Sequence, residues 1–291
     1  MRIPIAPRLI SVIIAFQIHI GRPALRHLFL VAATAFVALA PLATANAEQV
    51  DPAITKAIAN PARAEANRAR DVYRHPAETL AFFEVKTGQT VVEFYPGSGW
   101  YTEILAPALR GNGRYIAHAP GSERGLNAVK AMLEKNNGWF GAVDVIPFSP
   151  TEASTLPADT VDRVLTFRNV HNLMMQGEAV AAKAFADWYK ALKPGGILGV
   201  VDHRMPETME TALEQKSGYV KKSTVVRLAN AAGFELAGES DINANPKDTH
   251  DWPDGVWTLP PTYRLGDTDR AKYQAIGESD RMTLKFLKPK G

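Results

Sequence analysis

Between Thr90 and Leu109 the chain passes from a β-rich run, Thr90 to Phe94, through Tyr95-Pro96-Gly97-Ser98-Gly99 into an apolar stripe. Tyr101, Ile104, Leu105, Ala108 and Leu109 fall at the i, i+3, i+4, i+7 and i+8 positions of one helix face, and Gly111 is placed to end it. Strand, glycine turn, helix is the unit of α/β folds. Its repetition argues for helices covering a mainly parallel sheet.

The repetition continues. Arg114 to His118 reads as a second strand, Leu126, Val129 and Leu133 mark a helix, and Ala142 to Ile146 and Val161 to Phe167 read as third and fourth strands. Ala181, Phe185, Trp188 and Leu192 give a helix stopped by Lys193-Pro194-Gly195-Gly196, with Ile197 to Val201 as a fifth strand. Ser223 is expected to cap a helix through Val226, Leu228 and Ala229 to Ala232, terminated by Gly233. Phe234 to Gly238 and Met282 to Leu287 read as further strands. Upstream, Asp51 to Phe83 is polar and helical, interrupted at Asn60-Pro61 and His75-Pro76 because the residue before a proline is pushed out of the helical region. The pattern predicts a Rossmann-like, mainly parallel sheet with helices on both faces and an antiparallel C-terminal strand. An N-terminal helical arm over residues 48–84 is expected to precede an α/β domain over residues 85–291.

The first 47 residues stand apart. Arg22 and Arg26 precede the apolar run Leu28 to Leu39, which has the length of a signal-peptide core, and Ala45-Asn46-Ala47 supplies a small-x-small cleavage pattern. Cleavage after Ala47 and a periplasmic or secreted location are the expectation, with no stable membrane insertion afterwards. A second apolar stretch, Leu9 to Ile20, leaves an uncleaved membrane anchor as the alternative. Removing residues 1–47 removes four arginines and no acidic residue, so 33 basic residues become 29 against 30 acidic. The net positive charge therefore belongs to the leader, and the electrostatic footprint of a nucleic-acid binder is missing from the remainder. With no cysteine in the chain, disulfide staples, thiolate nucleophiles and Cys-ligated zinc are excluded.

An acidic residue that ends a first strand, followed by glycines opening a helix, is how Rossmann-like folds receive a nucleotide-containing cofactor. Glu93 with Gly97 and Gly99 has that form; the other reading is a turn that only reverses the chain. Together with Asp159-Thr160-Val161-Asp162-Arg163-Val164 and Leu192-Lys193-Pro194-Gly195-Gly196, it resembles the class I S-adenosylmethionine-dependent methyltransferases across roughly residues 85 to 240. Arg74-His75-Pro76 ahead of the Pro96 to Thr102 turn is similar to a group of exported bacterial methyltransferases of unassigned substrate. The resemblance implies S-adenosylmethionine as cofactor, its methionine end surrounded by Glu93, Tyr95, Gly97, Ser98, Gly99, Trp100 and Tyr101. Glu93 would organise hydrogen bonds near the ammonium group, where a carboxylate gains from charge assistance; capping a backbone group is its other role. Three departures stand out. Trp100 takes the place of the usual third glycine, Tyr115 to Pro120 ends without the acidic residue that holds the ribose, and Phe148-Ser149-Pro150 lies where an aspartate often meets the adenine.

Arg168 to Leu173 follows the fourth strand, and in open α/β sheets such strand ends line the ligand crevice. His171 is the candidate general base, since its ordinary pKa lies near neutrality; the alternative is that it only bonds a neighbouring loop. Asp202 and His203 follow the fifth strand and join it as catalytic candidates, with Asp202 able to orient an imidazole. Asn172, His250 and Trp252 are the candidates for substrate contact. The irregular 241–262 segment, with Trp252, Trp257 and nearby Tyr263, reads either as an aromatic wall over the substrate or as a loop pinned by its own rings. No pair of histidines or acids shows the compact spacing of a metal-ligand motif, so no metal is expected. Two functions remain: a methyltransferase acting on a small molecule, and a non-catalytic module that keeps the fold to bind a small ligand. A nicotinamide-dependent oxidoreductase is disfavoured by Trp100, by the missing acid after the second strand and by the Lys-Pro-Gly-Gly turn.

Overall fold

The computed structural model describes residues 49–291. The expected leader and its cleavage position lie outside the described residues. The polar N-terminal stretch forms α1 (Pro52–Ile58), α2 (Glu65–Arg68), α3 (Asp71–Arg74) and α4 (Pro76–Phe82). His75, ahead of Pro76, takes the left-handed conformation with φ 40°, and this breaks α3 from α4.

The α/β alternation follows as β1 (Thr90–Phe94), α5 (Thr102–Leu109), β2 (Arg114–Pro120), α6 (Glu123–Lys135), α7 (Asn137–Phe140), β3 (Asp144–Phe148) and β4 (Val161–Phe167). Then come α8 (Val170–Gln176), α9 (Glu178–Ala191), β5 (Leu192–Met205), β6 (Val220–Lys221), α10 (Lys222–Ala232), β7 (Glu235–Ser240), α11 (Arg270–Ile276) and β8 (Arg281–Leu287). The strands form one eight-stranded sheet in the order β3-β2-β1-β4-β5-β8-β7, with β6 attached to β5. Pairings from β3 to β5 are all parallel, whereas β8 runs antiparallel to both β5 and β7. The sheet is therefore the mainly parallel, Rossmann-like one that the pattern predicts.

The central strands are buried on both faces, as their continuous apolar runs require. Val92, Phe94, Val164, Leu198 and Val200 face a core with Leu173 of α8, Phe185 and Trp188 of α9, and Leu228 of α10. The alternate residues Val91, Leu165 and Val201 face the opposite core, with Ile54 of α1, Leu80 of α4, Ile104 and Leu105 of α5, and Val129 of α6. The period of two along each strand thus assigns neighbours to opposite layers.

Two local expectations are corrected. Ser223 does not cap α10, which starts one residue earlier after Lys221; the Glu207 carboxylate instead accepts the Ser223 N–H at 3.0 Å, a cap supplied from a distant segment. Lys193 to Gly196 does not end before the fifth strand but interrupts it: Val161 pairs with Leu192 and Arg163 with Ile197, so the turn is absorbed as an irregularity in the β4–β5 ladder.

Gly199 of β5 fixes how the N-terminal helices meet the sheet. A Cβ there would lie 2.7 Å from the Phe83 ring and 2.8 Å from Leu165 Cδ2, so the missing side chain is the seat of Phe83. Phe83 is wholly buried, directly after α4. Gly199→Val must expel the ring, and the expected loss is ~1–3 kcal/mol in urea unfolding, with Gly199→Ala losing less. An unchanged midpoint in Gly199→Val would show that this seat does not hold the N-terminal segment.

Candidate functional site

The strand order reverses between β2-β1 and β4-β5, and a crevice opens where the carboxyl ends of β1, β4 and β5 part. A cavity of about 250 Å³ lies there. Glu93, Tyr95, Gly97, Ser98, Trp100, Tyr101, His171, Asn172 and His203 all line it, so most of the residues singled out in the sequence share one space. Asp202 lies behind the wall, wholly buried.

Glu93 is carried in by β1. Its Oε2 accepts hydrogen bonds from Thr102 Oγ1 at 3.0 Å and Tyr115 Oη at 2.6 Å, whereas Oε1 accepts none among the described residues. Burial pushes the Glu93 carboxyl up to about 7, against the pull of those two bonds and of the Arg74 charge. The turn behind it has positive φ at Tyr95 (50°), Gly97 (59°) and Gly99 (89°). A side chain at Gly99 would also meet Met132 Sδ at 2.8 Å, so this glycine faces α6 and does not line the cavity.

Both aromatics of the turn, Tyr95 and Trp100, line the cavity, but they are held differently. Trp100 does not fill the crevice: its indole N–H donates to the Asn67 carbonyl at 2.9 Å, and the Arg63 and Arg74 guanidiniums lie 5.2 and 4.5 Å from its ring centroid. It is the N-terminal segment's anchor on α5. Tyr95 stands further into the crevice, stacked on Phe94 at 4.0 Å and lining both the main cavity and a second one of about 590 Å³. That second cavity lies at the ends of β2 and β3, among Pro120, Ser122, Phe148 and Ser149, and Glu152 reaches it from the loop after β3. An acidic side chain thus lines the side of the crevice where neither strand end supplies one.

His171 and Asp202 meet as a pair. The Asp202 carboxylate accepts from four N–H groups: His171 Nδ1 at 2.7 Å and the His203 amide at 2.8 Å on Oδ1, the Val170 amide at 2.6 Å and the His171 amide at 3.2 Å on Oδ2. With every lone-pair direction facing a donor, Asp202 is acceptor-only, so Nδ1 of His171 carries the proton and Nε2 keeps its lone pair. The His203 ring lies 4.9 Å from that of His171, with its Nδ1 bonded to Ser279 Oγ. Burial, the repulsion from a protonated His171 and the Arg281 and Arg168 charges hold His203 well below the usual histidine range, so it is neutral at pH 7.

Tertiary structure does gather His171, Asp202 and His203 into one group whose ligand atoms lie within 4.8 Å of one another, although their sequence spacing shows no metal motif. The donor set suits a cation poorly, since the Asp202 oxygens are spent on N–H groups and Arg74, Arg168 and Arg281 press on the same space.

His250 and Trp252 are not brought to the cavity. His250 lies beyond Tyr219, 5.3 Å from its ring, and bonds Asp280; the Trp252 indole donates to Asp248 at 2.7 Å. The Asp280 bond and the Asp248 and Asp280 charges raise the His250 pKa, outweighing its burial. The cavity's outer wall comes from the same irregular segment a few residues later, with Trp257, Pro260 and Pro261. Four arginines escaped the sequence reading as site residues: Arg70 and Arg74 from the N-terminal helices, Arg168 after β4, and Arg281 at the start of β8 all line the cavity. Local signals existed for two of them: Arg168 lies three residues before His171, and Arg74 sits in the Arg74-His75-Pro76 segment.

No protein-family model matches the chain, and no curated protein matches it. Among solved structures, an S-adenosylmethionine-dependent methyltransferase from Aquifex aeolicus is similar at TM-score 0.51 and 17% identity, over 81% of this chain and 96% of that one. The [4+2]-cyclase SpnF is similar at TM-score 0.51 and 18% identity, over 80% of this chain and 86% of that one. Identity this low speaks for architecture and not for the reaction, and a methyltransferase and a cyclase share it here. The chain has the fold of the S-adenosylmethionine-dependent methyltransferases.

Proposed function

We propose that this protein is an S-adenosylmethionine-dependent methyltransferase acting on a small molecule. The observation that carries the reading is Glu93: a buried carboxylate at the end of β1, with both side-chain hydrogen bonds on one oxygen and the other oxygen unbonded beside the Gly97–Gly99 turn. That is an acceptor prepared for an ammonium group. Two further observations support it. The Trp100 indole N–H is tied to the Asn67 carbonyl, so its ring lines the cavity wall without filling it, and Glu152 lines the neighbouring cavity, where hydroxyl groups of a ribose require an acceptor. The aromatic and apolar lining by Phe148, Pro120 and Leu126 suits a purine face.

When bound, S-adenosylmethionine supplies an electrophilic methyl group. The chain's own contribution is to bind and orient through Glu93 and the open backbone of the turn, and to hold a proton acceptor, His171 Nε2, at the cavity wall. Asp202 positions that acceptor, and Trp257, Pro260 and Pro261 form the cavity's outer wall. A second reading, a binding module without catalysis, is favoured by one observation: Tyr95 stands between the two cavities that a nucleoside-bearing cofactor would have to span.

Calorimetric titration of residues 48–291 with S-adenosylmethionine separates the two readings. Micromolar affinity is expected, lost in Gly97→Val/Gly99→Val, whose positive φ values strain any β-branched residue by ~1–2 kcal/mol each. No heat at millimolar cofactor would leave the binding module. Because the Glu93 pKa is raised to about 7, the site must shed a proton to accept a cation below that pH. Affinity should therefore rise roughly tenfold between about pH 6 and pH 8 and level off above that, with the slope absent in Glu93→Gln. A pH-independent wild type would separate Glu93 from the ammonium. The positioning role of Asp202 has a spectroscopic signature: imidazole nitrogen shifts should show His171 as the Nδ1–H tautomer, switching to Nε2–H in Asp202→Asn, whose amide N–H₂ turns Nδ1 into an acceptor. Retention of the Nδ1–H tautomer in that variant would remove Asp202 from the mechanism.

A further inference from the structure

Four guanidiniums converge on the crevice with one carboxylate among them. Glu278, itself 2% exposed, receives Arg70 Nε at 2.5 Å and Arg281 Nη2, while Arg74 Nε stays 3.6 Å away, beyond a hydrogen bond. Arg281 is further fixed by donating to the Tyr73 carbonyl at 3.1 Å, and Arg74 by lying over Trp100. Arg168, half-buried at the end of β4, makes no side-chain hydrogen bond among the described residues and is held by its backbone N–H on Val201.

The cluster is fixed in place without being neutralised. Arg74 and Arg281 are 3% and 2% exposed, yet Arg74 Nε and Nη2, Arg281 Nε and Arg70 Nη2 are buried without a hydrogen-bond partner. Burying like charges with unpaired donors opposes folding, so the arrangement asks for an acceptor that the protein does not itself provide. The other charged groups nearby do not supply that acceptor: Asp202 acts on Arg168 through its charge, but its oxygens are taken by four N–H groups; Glu93 is about half ionised at pH 7, and His203 is neutral. Repulsion within the cluster is felt by its members, since burial and then Arg281 lower Arg168 to about 10.

We propose that Arg70, Arg74, Arg168 and Arg281 form a subsite for a small oxyanion of charge two or more, a phosphate group or a set of carboxylates carried by the molecule that occupies the crevice. The guanidinium fork matches both geometries bidentately, and the cavity of about 250 Å³ admits such a group beside His171. The charge count sets the valence. Glu278 offsets one of the four arginines and the Asp202 charge a second, so a single carboxylate would leave one unmatched. Combined with the methyltransferase reading, on which this last step rests, the inference names the substrate class as a phosphorylated or polycarboxylate small molecule.

The test titrates the ligand-free protein, at low ionic strength, with inorganic phosphate, pyrophosphate and citrate, and with glycerol as the uncharged control, following heat and Tm. Pyrophosphate or citrate should bind and raise Tm, and the preferred anion distinguishes a phosphate from a carboxylate substrate. Arg168→Gln should weaken that binding roughly tenfold or more, with the ligand-free Tm unchanged or higher because a like charge has been removed. A purely structural arginine predicts the opposite, a lower Tm with nothing else altered. Absence of binding by all three anions at millimolar concentration, or equal binding by Arg168→Gln and wild type, would overturn the proposal. Competitive displacement of the anion by S-adenosylmethionine would also overturn it, by assigning the arginines to the cofactor's own carboxylate. Anion binding retained in Gly97→Val/Gly99→Val, or found where the cofactor gives no heat, upholds the subsite independently of the methyltransferase reading.

Discussion

One buried carboxylate organises the crevice. Asp202, at the carboxyl end of β5, takes the first amides of α8, the amide of His203 and the ring of His171. It decides where the segment after β4 becomes helical, which tautomer His171 adopts and how the chain leaves β5. Each of those N–H groups, left unpaired in the interior, would cost about 1–3 kcal/mol, so the carboxylate and the crevice wall are specified together. Strand β5 can bear this because it is central, flanked by β4 and by the antiparallel β8.

Around this satisfied anion the protein arranges cations that are not satisfied. The N-terminal helices supply Arg70 and Arg74, and the start of β8 supplies Arg281 along with the nearby Glu278. Trp100 serves that arrangement directly, since its ring supports Arg74 and its indole N–H secures the helices at Asn67. The aromatic that interrupts the glycine turn is thus a structural floor for a charged group. Stability is given up locally in unpaired guanidinium donors and recovered in the two apolar layers, the usual relation between a functional site and its scaffold.

Particular residues show where sequence reasoning succeeded and where it stopped. Thr90 to Phe94 and Val161 to Phe167 were legible as strands to the residue, because a short apolar run bounded by turn signals is a local property. The helix α8 was not, since Val170 to Gln176 is short and its start depends on Asp202, thirty-two positions from Val170. Ser223 looked like a cap by type, yet Glu207 performs that role from another segment. Trp252 and His250 were chosen by chemistry from an aperiodic segment, and the fold turned Trp257 to the cavity instead. In the glycine turn, residue types could not reveal that Trp100 braces the arm from the cavity wall.

The sequence by itself determined the α/β architecture, the position of the glycine turn and the pairing of faces along each strand. Periodicity, glycine and proline act within a few residues, and they do so in any tertiary context. It also placed Glu93, His171 and His203 at strand ends, which parallel topology then brings to one crevice. Only the tertiary structure decided the polarity of that crevice. The contact between Arg70 and Glu278 joins residues 208 positions apart, through N-terminal helices seated by Phe83 on Gly199 and a C-terminal strand inserted beside β5. Charges that meet only after the sheet is complete leave no local pattern, and so the arginine cluster became visible only in the folded chain.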